Sequence, residues 1–140
     1  VSRLGGVAVD VLSTPRLIQL LEAAAIKAIQ DLVPTDQLSL GTEVRVRHLS
    51  ATPLGMKVTA NALLKEVSKN RLLFLVDAYD EKEKVAEGEH ERVLVSKERF
   101  LQKVDKKRAG LFRFHCVGIP EKDRFCLNGM GLSPQDGRTE

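Results

Sequence analysis

One long helical pattern stands ahead of a block of alternating strands, and that order does most to limit the folds open to this chain. From Pro15 to about Val33, Leu17, Leu20, Leu21, Ala24, Ala28 and Leu32 recur at three- and four-residue steps, which predicts one amphipathic helix. Ser13-Thr14-Pro15 reads as its start, a hydroxyl cap followed by proline at the first helical position, and Pro34 helps to end it. From Ser39 to Ser50 the period changes to two, with Val44, Val46 and His48 on one face and Glu43, Arg45 and Arg47 on the other.

After the Pro53-Leu54-Gly55 turn a second strand runs to about Val67, with Met56, Val58, Ala60, Ala62 and Leu64 inward; these two strands are expected to pair as a hairpin. Leu72 to Val76 is a continuous apolar run, as expected of a central strand covered on both faces. In the last strand, Val85 to Val95, Glu87, Glu89 and Glu91 share a face that should be solvated, while Ala86, Gly88, His90, Arg92 and Leu94 share the other. Ser96 to Lys107 reads as a short amphipathic helix capped at Ser96. The order predicts an α+β fold, a long helix packed on a curved antiparallel sheet that runs as a meander.

A chain of 140 residues with 43% hydrophobic content can bury one core without disulfides or metal. Cys116 and Cys126 are too few for a disulfide framework, and no CxxC pair accompanies His115 to make a zinc site; two free thiols in a reducing compartment are expected. No apolar run is long enough to span a membrane, and Val1 to Val9 lacks the build of a signal peptide, so a cytoplasmic protein is expected. The net charge of +3 is concentrated between Ser96 and Arg108, where six basic residues face Glu98 and Asp105; this reads as a wet helix face or a contact for a ligand's phosphates. Phe100 alone does not supply the stacking aromatics of a nucleic-acid site. The domain is expected to occupy 1–108, with 109–140 as a C-terminal extension holding two short strands, Leu111 to Val117 and Arg124 to Leu127.

Three residues sit oddly in these patterns. Glu22 is an acid among Ile18, Ala25 and Ile26 on one helix face, either at the rim of the apolar stripe or half-buried as a base or orienting carboxylate. His48 follows Val44 and Val46 onto the face that should be buried, either as a core histidine bonded to backbone or as a general base. Thr14 reads as an N-cap, although a hydroxyl there also lies beside free helix N–H groups suited to an oxyanion. His90 and Arg92, on a common strand face, fit an ion-pair anchor or a phosphate contact.

Taken in order, Ser13-Thr14-Pro15 leading to Leu20-Leu21-Glu22-Ala23-Ala24, then Ser39-Leu40-Gly41-Thr42, then Val46-Arg47-His48-Leu49-Ser50-Ala51-Thr52-Pro53-Leu54-Gly55, then Gly88-Glu89-His90-Glu91-Arg92 and Arg99-Phe100, resemble the fluoroacetyl-CoA thioesterase-like family of hot-dog proteins. The resemblance covers about Val9 to Lys107. It implies a hot-dog fold and an acyl-CoA thioesterase acting on a short or small acyl group, with Thr14, Glu22 and His48 as the catalytic constellation. It further implies Gly41 and Arg92 as substrate contacts, CoA entering as part of the substrate with no separate cofactor, and a homodimer that engages neither nucleic acid nor membrane. The competing reading is a non-catalytic hot-dog module that binds an acyl or other small apolar ligand. Two departures from the family stand out: Val1 to Asp10 is short for the strand that normally precedes the helix, and it contains no aromatic residue.

Overall fold

The computed structural model describes residues 2–4 and 7–110. Two compact units divide the chain, Val1–Val104 and Asp105–Glu140. The expected strands at Leu111 to Val117 and Arg124 to Leu127, and both cysteines, lie outside the described residues.

Two three-residue strands, β1 (Ser2–Leu4) and β2 (Val7–Val9), pair antiparallel with each other. Helix α1 (Thr14–Ile29) follows. Its buried residues Leu17, Leu21, Ala25 and Ile29 recur every four residues, and this stripe packs chiefly against the β4 strand (Thr59–Ser68). Each fully buried Leu contributes about 1.5–3 kcal/mol through removal from water. The helix stops four residues short of Val33: the N–H groups of Leu32 and Val33 both turn back to the Ile29 carbonyl, and Pro34 disfavours helical geometry at the residue before it. Leu32, expected in the apolar stripe, is 75% exposed.

Strands β3 (Gln37–His48), β4, β5 (Arg71–Tyr79) and β6 (Lys84–Ser96) form one antiparallel sheet in the order β3-β6-β5-β4. The expected hairpin between the first two long strands is therefore not formed; β3 and β4 lie at opposite edges. The Pro53-Leu54-Gly55 turn is tied elsewhere. Leu12 N–H donates to the Thr52 carbonyl, Leu54 N–H to the Asp10 carbonyl, and Leu49 N–H to the Val85 carbonyl, so the backbone of this connection is satisfied by the segment before α1 and by β6. Among the described strands, only β4, β5 and β6 run as a meander.

Gly88 explains why β3 finds β6. A Cβ there would stand 2.0 Å from the Arg45 carbonyl oxygen and 2.8 Å from Val46 Cα, so only glycine lets the two backbones meet in this register. Phe74, Val76 and Ala78 of β5 are buried beneath α1, with Val85 and Ala86 of β6. The expectation that β5 is covered on both faces does not hold among the described residues: Leu75 is 40% exposed on the outer face. The acidic row of β6 also differs from a plain solvated face. Glu87 pairs with Lys84 and Arg47, Glu89 with Arg45 and Lys65, and Glu91 with Arg71, in a ladder across the outer side of the sheet. Arg71 holds the Glu91 carboxyl below the usual carboxylate range through a hydrogen bond, helped by the Thr42 hydroxyl.

Helix α2 (Lys97–Gly110) begins where the sequence places it, with Arg99 N–H donating to the Ser96 hydroxyl. No helix among the described residues is long and apolar enough to cross a membrane.

Candidate active site

Ser13 takes the N-cap position of α1 in extended geometry and makes no side-chain capping bond. The threonine after it is thereby released from capping. Thr14 Oγ1 lies 2.9 Å from Nδ1 of His48, at the far end of β3. His48 is half-buried, and its Nε2 is buried without a hydrogen-bond partner among the described residues. A buried ring nitrogen left unpaired costs about 1–3 kcal/mol, so this imidazole is built to meet something at Nε2. The strand pattern places His48 on the inward face, and the bond to Thr14 joins two of the three residues singled out in the sequence.

Glu22 is not the third member of that cluster within one chain. Two helical turns beyond Thr14, it is displaced by about 12 Å along α1. Its carboxylate instead faces Gly41, which stands about 23 Å along β3 from His48. A Cβ added to Gly41 would lie 3.2 Å from Glu22 Oε1, 3.2 Å from His90 Cε1 and 3.5 Å from Arg92 Nη1. Three polar side chains thus converge on the space that the missing side chain leaves open.

The second cluster is built into the sheet. At Thr42 the register of β3 against β6 slips by one residue, a bulge of the kind that re-aims groups near functional sites. His90 is 1% exposed and Arg92 4% exposed, on the face that α1 covers. Arg92 donates from Nε to the Ser39 hydroxyl at 2.6 Å, from Nη2 to the Ser39 carbonyl at 2.8 Å, and from Nη1 to His90 Nε2 at 3.1 Å. Burial lowers the Arg92 guanidinium from its ordinary value, and the nearby Glu22 carboxylate opposes that shift. Ser39 carried no sequence signal of its own; His90 and Arg92 did, as polar residues in an inward-facing row.

Cavity volume does not point to either cluster. A groove of about 830 Å³ runs over the outer face of the sheet between Arg45, Leu63, Leu75 and Glu89, away from Thr14, Glu22 and His48. A smaller cavity of about 240 Å³, lined by Leu12, Ser13, Arg16, Thr52, Met56 and Val58, adjoins the turn that carries Thr14.

A family model described as FlK, fluoroacetyl-CoA-specific thioesterase, matches residues 1–98. The fluoroacetyl-CoA thioesterase of Streptantibioticus cattleyicolor is 36% identical over 98 residues, 70% of each chain. A solved structure of the fluoroacetyl-CoA thioesterase FlK aligns with a TM-score of 0.67 at 36% identity, over 69% of this chain and 72% of that one. A thioesterase superfamily member from Thermus thermophilus aligns with a TM-score of 0.72 at 24% identity, over 75% and 77% of the two chains, a likeness of fold.

Proposed function

The chain belongs to the fluoroacetyl-CoA-specific thioesterase family and has its hot-dog fold, and from that premise we propose that it hydrolyses a short or small acyl-CoA to free acid and CoA at a site shared by two copies of the chain. The observation that carries this reading is the division of the polar residues: Thr14 and His48 meet, His48 Nε2 lacks a partner among the described residues, and Glu22 waits beside Gly41 at the other end of the same strand.

Strand β3 supplies the means of joining them. It has twelve residues and is an edge of the sheet, paired on one side only among the described residues. A long edge of this kind is a template for another strand. Antiparallel pairing of β3 with its own copy, centred on Arg45 and with Thr42 as the extra residue of the bulge, sets His48 opposite Gly41 of the second copy and brings that copy's Glu22 toward the Nε2 that has no partner among the described residues. The two-fold generates two identical sites.

In that arrangement Glu22 orients the imidazole and balances its positive charge, while Nδ1 serves the oxygen held at Thr14. The proton released by the attacking oxygen passes to His48 and on to the departing CoA sulfur, so water and thioester give acid and thiol. Backbone donors at Gly41 and the guanidinium of Arg92 stabilise negative charge at the thioester oxygen. CoA enters as part of the substrate. The absence of aromatics from Val1 to Asp10 speaks against reading the fluoroacetyl substrate of the relatives into this chain.

The test is thiol release from a panel of acyl-CoAs by wild type, His48→Ala and Glu22→Ala. Turnover of a short acyl-CoA by the wild type, with losses of about 10²–10⁴-fold in both variants, is the expected result. Equal background rates for all three would leave a binding module in place of an enzyme.

A further inference from the structure

His90 is the buried titratable group that the reaction as described leaves unused, and its surroundings fix its form. Nδ1 lies 2.8 Å from the Glu43 carbonyl oxygen, which can only accept; Nδ1 therefore carries the proton. Nε2 lies 3.1 Å from Arg92 Nη1, which can only donate; Nε2 therefore presents its lone pair. Both partners are committed, so one neutral tautomer satisfies the ring.

We propose that His90 is a positioning residue for thioester hydrolysis, a neutral acceptor that fixes the Arg92 guanidinium beside Gly41 and Glu22. This rests on the thioesterase reading given above. The chain of contacts is continuous: the slip in register at Thr42 presents the Glu43 carbonyl, that carbonyl sets the tautomer of His90, and the tautomer decides where Arg92 Nη1 donates. Ser39 holds the other two nitrogens of Arg92 through its hydroxyl and its carbonyl, so the guanidinium has no alternative pose among these partners. What remains is directed toward the opening at Gly41, which the Glu22 carboxylate also borders. Phe74 stacks on the imidazole with ring centroids 6.4 Å apart, which holds the ring plane from the core side.

Two substitutions separate positioning from packing. His90→Phe keeps an aromatic ring against Phe74 and removes the acceptor; His90→Gln keeps a side-chain acceptor for Arg92 and loses the ring. The expected result on a short acyl-CoA is a fall in kcat of up to about a hundredfold for His90→Phe, with KM changed far less, and substantial recovery of kcat in His90→Gln. A purely structural role would reverse that order, since phenylalanine is the better core residue. The nitrogen-15 spectrum of the wild-type imidazole gives a readout that does not depend on turnover, and it should carry the signature of the Nδ1-protonated neutral tautomer. Wild-type kcat in a folded His90→Phe, or an Nε2-protonated or doubly protonated ring, would overturn the proposal. An inert wild type with the expected tautomer would remove the role in hydrolysis by removing the thioesterase reading itself, leaving the contact with Arg92 intact.

Discussion

The Thr14 hydroxyl and Nδ1 of His48 stand 2.9 Å apart although 34 residues separate them in the chain, and no capping bond competes for that threonine. Thr14→Val, which keeps the branched shape without the hydroxyl, is expected to reduce kcat by about 10²-fold or more while stability changes by less than about 1 kcal/mol. Thr14→Ser should retain most activity. Thiol-release kinetics with a parallel urea titration checks both; a fully active Thr14→Val would return the residue to an ordinary place at a helix start.

Gly41 leaves a gap that Glu22, His90 and Arg92 border, with contacts of 3.2–3.5 Å waiting for any Cβ. Gly41→Ala presses on the Glu22 carboxylate, which can yield, and on the fixed His90 ring, but on no backbone, so the fold should survive with a loss of about 1–3 kcal/mol. Activity should suffer more, by about tenfold or greater in kcat/KM, because the displaced groups are those placed around the reacting centre. A variant that loses stability while its turnover is unchanged would contradict this.

The opposite balance is expected at Gly88, where an added Cβ meets the Arg45 carbonyl at 2.0 Å and no side chain can yield. Gly88→Ala should cost about 3 kcal/mol or prevent β3 from pairing with β6. Thermal melting and circular dichroism test it, and a melting temperature equal to that of the wild type would show that the strands do not approach as described.

Asp80 closes the turn between β5 and β6: Oδ1 accepts from the N–H groups of Lys82 and Glu83, and Oδ2 from the Thr52 hydroxyl. These bonds, the Glu83 one first, hold its carboxyl below the usual aspartate range. A carboxyl whose folded value is depressed adds stability above the unfolded value and loses it as pH falls through the folded one. Asp80→Asn should therefore be less stable than wild type at neutral pH, and the gap should narrow below about pH 4. Urea midpoints at several pH values decide it; a gap independent of pH would refute the linkage.

The elements were legible wherever one face is buried and one is wet. Leu17 and Leu21 of the expected helical stripe are buried, with Ala25 and Ile29 completing it where Ala28 and Leu32 were expected, and Ala60, Ala62 and Leu64 alternate at the strand period as read. Pairing was not legible, since what joins β3 to β6 is a backbone contact at Gly88 and what keeps β3 from β4 is a set of bonds from the 49–58 connection to residues 10–12. Glu22 and His48 announced themselves as polar residues in apolar rows. Their separation along helix and strand did not, because periodicity reports the face of an element and says nothing about which ends of two elements meet. Thr14 looked like a cap until the structure gave that position to Ser13.

A shared site makes one prediction that a site within a single chain does not. His48→Ala and Glu22→Gln are each expected to be inactive alone, since each symmetric dimer lacks one member at both sites. When the two variants are mixed and allowed to exchange subunits, one site of every mixed dimer regains an intact Thr14, His48 and Glu22, and activity should rise to about a quarter of the wild-type value. Mixed samples that stay as inactive as the separate variants, despite demonstrated subunit exchange, would contradict the shared site.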